Sequence, residues 1–269
     1  MQSVDTVFTG SIPALYDEYL GPALFEPYAV DLAGRLTGLA DGSLLEIAAG
    51  TGRVTRALAR TLPPAVTIIA SDLNQAMVDF TASQPIARPV SWRQADALAL
   101  PFFDDSFDVV VCQFGVMFFR DKMAGYREAL RVLKPGGRFL FSVWGPIEAN
   151  LFGRVTTEAL AALFPQDPPL FLTRAPYGYH DPGAIATQLE GAGFTSVAID
   201  TVALTSELPA ADHLAIGFCQ GSPLQSEIEA RQLGGLAAVT DAVTAAIAAR
   251  LGPGPIAGDM QAHIVTAAR

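Results

Sequence analysis

Between residues 43 and 144, short apolar segments alternate with segments whose apolar residues recur at helical spacing, and this alternation constrains the fold more than any other feature. Strands that are apolar almost throughout are typical of a parallel sheet covered on both faces by the helices that connect them. The sequence therefore predicts a doubly wound α/β fold. Its predicted strands are residues 43–48, 66–70, 90–94, 107–112 and 138–144.

The helices predicted between these strands are residues 54–62, 74–83 and 120–133. The last of these helices is followed by Lys-Pro-Gly-Gly at residues 134–137, which predicts a helix stop and then a turn before the fifth strand.

The second half of the chain has a different pattern, with more helix and more Gly and Pro. Asp181 is placed to cap a helix over residues 182–191. A Gly/Pro cluster over residues 251–259 precedes a short final strand. The other helices predicted here are residues 149–163 and most of 211–251, and the predicted strands are 195–205 and 262–267.

Composition excludes several classes of function. Seventeen basic residues against 27 acidic ones give a formal net charge of −10 without any run of Lys or Arg, which argues against a nucleic-acid-binding surface. Cys112 and Cys219 are the only cysteines, so a disulfide framework is excluded and no metal site is expected. Neither a secretory signal nor a membrane span of about 18 apolar residues is visible, and the expected location is the cytoplasm.

The segment LLEIAAGTGR at residues 44–53 carries most of the functional information, because it places a turn of small residues between a buried strand and a helix. We call residues 48–52 the glycine loop. Gly50 and Gly52 permit unusual dihedral angles and a close approach of the backbone to a ligand. In a doubly wound sheet this turn lies at the carboxyl edge of the strands, where ligands bind. The alternative is a tight strand-to-helix turn that binds nothing.

Three carboxylates follow neighbouring predicted strands at this edge, and they indicate the kind of ligand. Glu46, Asp72 and Asp96, together called the acidic edge, disfavour a pyrophosphate, which amide donors and positive charge stabilise. The dinucleotide pattern G-x-G-x-x-G is also incomplete, because Thr55 occupies the position of its third Gly. A ligand with a sulfonium, an ammonium, a ribose and an adenine suits the acidic edge better.

Each of these acids has an expected role. Asp72, 20 residues after Gly52, is placed to accept hydrogen bonds from both ribose hydroxyls. Asp96 can accept from the exocyclic amine of adenine while the Ala97 amide meets a ring nitrogen. Glu46 can orient the loop and favour the ammonium group through water. As an alternative, Asp72 and Asp96 are helix caps.

Four segments resemble the class I S-adenosylmethionine-dependent methyltransferases in sequence, order and spacing. They are LLEIAAGTGR (44–53), ASDLN (70–74), QADALALPFFDDSFDVVV (94–111) and REALRVLKPGGRFLFSVW (127–144). The amino-acid sequences of these segments resemble those of the branch that contains ubiquinone and menaquinone biosynthetic and other small-molecule methyltransferases. The resemblance implies a Rossmann-like doubly wound seven-stranded sheet with helical cap insertions. Its last strand would be antiparallel, and residues 262–267 could supply it.

The resemblance also implies a site for S-adenosylmethionine, whose product is S-adenosylhomocysteine. The loop around Ala48 and Gly50 would hold the methionine part, Met77 would pack on the adenine, and the Gln113 backbone would face the methionyl ammonium and the transferred methyl. The complete set of expected cofactor residues is Tyr16, Glu46, Ala48, Ala49, Gly50, Thr51, Gly52, Asp72, Leu73, Met77, Asp96, Ala97 and Gln113.

Ala48 departs from the family pattern, which has a glycine at this position of the loop. An alanine there is expected to have a conventional backbone dihedral and to make the fit to the cofactor tighter by one methyl group.

The whole chain, residues 1–269, is expected to form a single methyltransferase domain. Residues 1–42 would be an N-terminal helical lid and residues 43–145 the cofactor-binding core, with substrate-cap insertions at 146–181 and 206–258. In this branch of the family such a lid folds over the cofactor, which makes Tyr16 and Tyr19 candidate lid residues. Alternatively, the aromatic residues of this segment face the core.

The cap insertions are aromatic and poor in charge, which favours a small, largely apolar acceptor. Transfer from a sulfonium is an in-line displacement in which positioning is the main task, worth about 7–11 kcal/mol. No catalytic base is assigned. The residues expected near the acceptor are Tyr19, Phe114, Met117, His180, His213 and Gln220.

Two other functions stay open at this point. A non-catalytic S-adenosylmethionine-binding or regulatory protein could have the same sequence features, because methyl transfer needs no diagnostic side chain. An NAD-linked oxidoreductase would explain Gly50-x-Gly52 with Asp72 downstream, although Thr55, Glu46 and Asp96 argue against it. The sequence predicts no oligomeric state.

Overall fold

Seven strands form one sheet in the computed structural model, which describes Asp5 and residues 10–231 and 234–269. Their order across the sheet is β3-β2-β1-β4-β5-β7-β6, and the last strand of the chain is antiparallel. The predicted Rossmann-like fold is therefore confirmed. The strands are β1 (Gly42–Glu46), β2 (Val66–Asp72), β3 (Ser91–Gln94), β4 (Phe107–Gln113), β5 (Leu133–Trp144), β6 (Ser196–Leu208) and β7 (Ile256–Ala268).

Helices flank the sheet and form most of the remaining described chain. The α-helices are α1 (Ile12–Leu15), α2 (Glu26–Gly34), α3 (Arg53–Thr61), α4 (Gln75–Ala82), α5 (Lys122–Val132), α6 (Leu151–Leu163), α7 (Phe171–Arg174), α8 (Pro182–Ala192), α9 (Ala211–Cys219), α10 (Leu224–Ala230) and α11 (Leu236–Leu251). A π-helix (Tyr16–Phe25) joins α1 to α2, and short 3₁₀ helices lie at Val116–Phe118 and Ile147–Ala149. Among the described residues, no helix has the combination of length and apolar character that a bilayer crossing requires.

The expected turn at residues 134–137 is wrong, although the helix stop before it is confirmed. Helix α5 ends at Val132 and β5 begins at the next residue, so the Lys-Pro-Gly-Gly segment belongs to the strand. Leu133 pairs with Phe107 and Arg138 with Val109, so β5 is irregular over this segment. The Lys134 ammonium lies 2.7 Å from the Asp108 carboxylate of β4, which ties the irregular segment to the neighbouring strand.

Two other boundaries differ from the sequence prediction. Strand β7 begins at Ile256, inside the predicted Gly/Pro cluster, and the long helical region divides into α9, α10 and α11. The predicted cap of α8 is confirmed, because the Asp181 carboxylate accepts a hydrogen bond from the Ala184 amide at 2.8 Å.

The parallel strands bring the predicted site residues to one edge of the sheet. In the β1–β2 pair Glu46 lies opposite Ala70, and in the β2–β3 pair Asp72 lies opposite Gln94. Glu46 is also level with Val111 of β4. Because all four strands run in the same direction, the segments that follow them emerge at the same carboxyl edge.

The chain divides into two compact units. Unit 1 contains the described residues of Met1–Pro27 together with Trp144–Tyr179 and Ala203–Gln261. Unit 2 contains Tyr28–Val143, His180–Val202 and Ala262–Arg269.

Aromatic packing fixes the helical layer of unit 2 against its strands. Tyr126 of α5 packs on Phe139 and Phe141 of β5, with ring centroids 6.3 and 5.8 Å apart. Phe139 also packs on Phe194, at 6.1 Å. All four rings are buried. Pairs of this kind contribute about 0.5–1.5 kcal/mol each beyond the area that they bury.

Unit 1 has its own aromatic core around the π-helix. Tyr16 stacks on Phe25 at 4.7 Å, Phe25 meets Trp144 at 6.0 Å, and Trp144 meets Tyr177 at 5.9 Å. The Ser206 hydroxyl donates to the Ala23 carbonyl at 2.7 Å, which links β6 to the π-helix. These contacts join segments that are far apart in sequence into one unit.

The backbone of the glycine loop contradicts the expectation for Ala48. This residue has φ +53°, in the left-handed region, instead of a conventional dihedral. Gly50 (φ +55°) and Gly52 (φ +78°) follow it in the same region, so the loop contains three left-handed residues, one of them an alanine. The Ala48 methyl group also lies against Gly115, where an added Cβ would come within 2.5 Å of it. Ala48 is therefore a strained position between two loops.

Replacing Ala48 with Gly should raise the free energy of unfolding by about 0.5–1 kcal/mol. The left-handed region costs an L-residue about 1–2 kcal/mol, of which the extra freedom of glycine in the unfolded chain cancels about 0.4–1 kcal/mol. Ala49 is the matched control, because it has no positive φ, so Ala49→Gly should destabilise. Urea denaturation measures both variants. Equal losses of stability in the two would contradict a left-handed Ala48.

Candidate functional site

Backbone hydrogen bonds to both neighbouring strands hold the glycine loop at the carboxyl edge of the sheet. The Ile47 amide donates to the Val111 carbonyl of β4, and the Ala49 amide donates to the Ser71 carbonyl of β2, both at 2.9 Å. The Gly52 amide closes the turn by donating to the Ala49 carbonyl, also at 2.9 Å. The loop is therefore a fixed part of the sheet edge.

The two glycines of the loop have different surroundings. A Cβ on Gly52 would come within 2.2 Å of the Thr81 methyl group, so α4 packs directly against this residue. A Cβ on Gly50 would meet no heavy atom within 4 Å. The Gly50 carbonyl accepts a hydrogen bond from the Thr81 hydroxyl at 2.7 Å, which fixes the peptide beside this open space. Gly50 therefore offers room that a ligand can occupy next to its backbone.

Asp72 ends β2 and connects two loops through its carboxylate. One oxygen, Oδ2, accepts from the Gly50 amide at 2.9 Å, and the other, Oδ1, accepts from the Asn74 amide at 2.8 Å. The residue is only 7% exposed, and this burial raises the pKa of its carboxyl. The Asn74 side-chain amide also donates to Oδ1, at 3.5 Å, whereas Oδ2 keeps a second lone pair with which Asp72 can accept a hydrogen bond from a ligand hydroxyl.

Glu46 ends β1 and is 1% exposed. Its Oε2 accepts a hydrogen bond from the Thr55 hydroxyl at 2.6 Å. Burial, and to a smaller degree the nearby Asp72 carboxylate, raises the pKa of Glu46 to about 8. At neutral pH this side chain is therefore mostly protonated, and the acidic edge is less negative than its three carboxyl groups suggest.

Asp96 is the most exposed member of the acidic edge. It follows β3, whose end is tied to Asp72 because the Ala95 amide donates to the Asp72 carbonyl at 2.9 Å. Its Oδ1 accepts from the Leu98 amide at 2.9 Å, and its Oδ2 lies 3.9 Å from the Arg120 guanidinium. With 39% of its side chain exposed, Asp96 can accept a hydrogen bond from a ligand.

The interpretation of Asp72 and Asp96 as helix caps is wrong. The residue at the N-cap of α4 is Asn74, whose amide Asp72 binds, and a turn instead of a helix follows β3 at Asp96. The two acids accept hydrogen bonds from loop amides.

Other predicted cofactor residues also belong to unit 2. Met77 of α4 is buried, Leu73 and Ala97 are half-buried, and Thr51 is buried in the loop. Gln113 is the last residue of β4 and pairs with Ser142 of β5.

The segment after β4 has an unusual backbone. Phe114 has φ +51°, and its amide donates to the Ser142 carbonyl at 3.0 Å. The buried Tyr28 ring meets Phe114 edge-on, with centroids 5.5 Å apart. Met117, in the following 3₁₀ helix, is also buried. Phe114 and Met117, which were predicted to lie near the methyl acceptor, are therefore both buried in unit 2.

The remaining predicted residues are divided between the two units. Tyr16, Tyr19, His213 and Gln220 belong to unit 1, whereas His180 belongs to unit 2. Tyr19 packs on the His213 ring at 5.2 Å, the His213 Nδ1 lies 3.0 Å from the Asp212 carboxylate, and Gln220 donates to Thr240 at 3.1 Å. The His180 main chain is hydrogen-bonded to the buried His263.

Sequence reasoning missed three polar residues that support the site: Thr55, Asn74 and Thr81. Thr55 binds Glu46, Asn74 binds Asp72 through its amide, and Thr81 binds the Gly50 carbonyl. Thr55 had a visible signal, since it occupies the third position of the glycine pattern. Asn74 lies in the ASDLN segment, but Thr81 had no signal because only the fold brings α4 to the loop.

Comparison with known proteins gives a consistent result. Residues 45–141 match the methyltransferase domain family. A ubiquinone/menaquinone biosynthesis C-methyltransferase from Geobacter sulfurreducens is 36% identical over 142 residues, which cover 51% of this chain and 56% of that protein. The chain spans about half the length of the curated relatives it matches.

Solved structures share the fold at low sequence identity. A Haemonchus contortus phosphoethanolamine N-methyltransferase, solved with S-adenosyl-L-methionine, has a TM-score of 0.62 at 16% identity and covers 100% of this chain and 60% of that one. The YcgJ protein of Bacillus subtilis has a TM-score of 0.56 at 19% identity, with 89% and 98% coverage.

The matched residues begin at the end of β1 and contain the glycine loop, β2 to β4 and most of β5, so they include the acidic edge described above. The resemblance inferred from the four sequence segments is confirmed. Residues 45–141 of the chain therefore carry a methyltransferase domain.

Proposed function

We propose that this protein binds S-adenosylmethionine at the glycine loop and the acidic edge and transfers its methyl group to a small, largely apolar metabolite. The observation that carries the proposal is the buried Asp72 carboxylate beside the open space at Gly50. When bound, S-adenosylmethionine supplies an electrophilic methyl group on a sulfonium.

The residues of the edge suit the separate parts of this cofactor. Asp72 would accept hydrogen bonds from the ribose hydroxyls, each worth about 1.5–3 kcal/mol because the acceptor is charged. Asp96 and the Ala97 amide would bind the edge of the adenine, and Met77 and Leu73 would pack on it.

The glycine loop would hold the methionine end of the cofactor. Its small residues let the backbone approach closely, and the loop is held by its own hydrogen bond to β2 and by that of the preceding Ile47 to β4. Ala48, Ala49, Thr51 and Gly52 contribute the rest of this surface, with the backbone of Gln113 facing the transferred methyl. A rigid loop contributes by positioning, because in-line transfer needs the nucleophile, methyl and sulfur to be collinear.

Two observations support a chemical class for the methyl acceptor. The relatives that match over half of the chain are ubiquinone/menaquinone biosynthesis C-methyltransferases, which favours a quinone-like aromatic ring. The π-helix and α9 of unit 1 carry Tyr19 and His213 in ring contact, and Tyr16 lies on the same π-helix. We propose that these residues of unit 1, together with Gln220 of the same unit, bind the acceptor, and that the protein acts in the cytoplasm.

Calorimetric titration with S-adenosylmethionine should show saturable binding, because the loop and the acids complement a cationic nucleoside. Titration with NADH serves as the control and should give no binding heat. Absence of any binding at millimolar S-adenosylmethionine, or binding of NADH alone, would overturn the assignment.

Replacing Asp72 with Asn should weaken S-adenosylmethionine binding about tenfold or more, because the ribose would lose a charged acceptor. Asp108→Asn is the matched control. Asp108 also accepts a backbone amide, that of Ser43 at 2.8 Å, but it lies at the amino end of β4. Asp108→Asn should leave the dissociation constant unchanged. Equal effects of the two substitutions on affinity would contradict the role of Asp72.

A panel of small aromatic acceptors, including quinols and phenols, should yield a methylated product detectable by mass spectrometry. The same panel with Asp72→Asn should form product more slowly, which excludes a contaminating enzyme. Methylation of nucleic acid or protein alone would contradict the proposed acceptor class. Binding of S-adenosylmethionine without turnover on any acceptor would favour a regulatory protein instead.

A further inference from the structure

Ala48 and Gly115 form a contact between the glycine loop and the segment that follows β4. A Cβ on Gly115 would lie 2.5 Å from the Ala48 methyl carbon and 2.7 Å from the Cys112 Sγ. Gly115 is buried and its backbone is right-handed, so a glycine is needed here for room and not for its dihedral angles. The Ala48 methyl group therefore occupies the space that a side chain at position 115 would need.

Left-handed backbone lies on both sides of this contact. Ala48 has φ +53°, and Phe114, the residue before Gly115, has φ +51°. In the described chain the other non-glycine residue with a positive φ is Asp105, which lies in the turn before β4. Residues held in this region persist where the surrounding structure fixes them, and they are common at ligand sites. Two of the three such residues meet here through Gly115.

The two sides of the contact are anchored to different strands. The amides of Ile47 and Ala49, which flank Ala48, bind β4 and β2. The Phe114 amide donates to the Ser142 carbonyl of β5 at 3.0 Å. The Ala48 methyl group fills the space between these two anchored segments, so its removal would leave their separation undetermined.

We propose that Ala48 is a positioning residue, whose methyl group sets the distance between the glycine loop and the backbone of Gln113. The inference rests on the proposed function, in which the loop holds the methionine end of S-adenosylmethionine and the Gln113 backbone faces the group to be transferred. Asp72 and Asp96 bind the adenosine part independently of this contact. Loss of the Ala48 side chain should therefore misplace the transferred group more than it weakens binding.

Carbon-13 NMR of S-adenosylmethionine labelled at its methyl carbon reports the surroundings of the transferred group without any acceptor. The wild-type complex should give one sharp resonance, and Ala48→Gly should move or broaden it. Calorimetry should give an Ala48→Gly dissociation constant within about threefold of the wild-type value, because the adenosine contacts remain. A wild-type resonance in Ala48→Gly would overturn the proposal.

Asp105→Gly is the matched control for the NMR measurement. It also replaces a left-handed residue with glycine, but at the turn before β4 instead of in the glycine loop. The resonance of the bound label should be the same in Asp105→Gly and in the wild-type protein. Equal displacement of the resonance in both variants would mean that relief of backbone strain, and not the Ala48 contact, causes it, and would overturn the proposal.

Turnover gives a second readout of positioning. On any quinol or phenol that the wild-type protein methylates, Ala48→Gly should lower kcat about tenfold and leave the KM for S-adenosylmethionine nearly unchanged. Unfolding would not explain this loss, because the variant is expected to be more stable than the wild-type protein. A raised KM with an unchanged kcat would contradict a positioning role.

Gly115→Ala tests the contact itself. The added Cβ would crowd Ala48 and Cys112, so the urea midpoint should fall. In the Ala48→Gly background one of the crowding atoms is gone, so the same substitution should lower the midpoint less. Equal decreases in the two backgrounds would overturn the contact. Failure of the wild-type protein to bind S-adenosylmethionine would instead overturn the proposed function, and this inference with it.

Discussion

The carboxylate of Asp72 is the contact on which the geometry of the site depends. It accepts one amide from the glycine loop after β1 and one from the segment after β2, at 2.9 and 2.8 Å, and so joins two loops that parallel pairing brings to the same edge. A parallel sheet aligns the strand ends, but it leaves the following loops undetermined. A charged acceptor that is buried between two amides fixes them. The open space beside Gly50 then has a defined border, with a carboxylate on one side and a rigid backbone on the other.

This arrangement has an electrostatic cost. Two carboxyl groups, Glu46 and Asp72, are buried next to one another, and desolvation raises the pKa of both. The loop stores a smaller cost in its backbone, since Ala48 adopts a left-handed conformation that glycine would tolerate more easily. Strain and buried charge are common where a fold has to receive a ligand, because the ligand then contributes the compensating interactions. A cationic nucleoside would supply the compensation that the buried acids lack.

Much of the fold was predictable from the sequence, because the signals were local. Continuous apolar strands predicted the parallel sheet, and Asp181 predicted the start of α8. Glu46 and Asp72 could be placed at one edge because they end neighbouring strands. The rest depended on tertiary context. The left-handed Ala48 results from strand-to-loop geometry, the irregular start of β5 from its pairing with β4, and the Thr81–Gly50 contact from the packing of α4. The raised pKa of Glu46 depends on complete burial, which one sequence does not specify.

The most direct test of the central claim is a crystal structure of the complex with S-adenosylhomocysteine. The account predicts that both ribose hydroxyls lie within hydrogen-bond distance of the Asp72 carboxylate, with the amino-acid end of the ligand against the backbone of the glycine loop. It also predicts that the Asp72 contacts to Gly50 and Asn74 persist in the complex. A ligand bound away from the ends of β1 and β2, or an Asp72 carboxylate that contacts only the two loop amides, would contradict it.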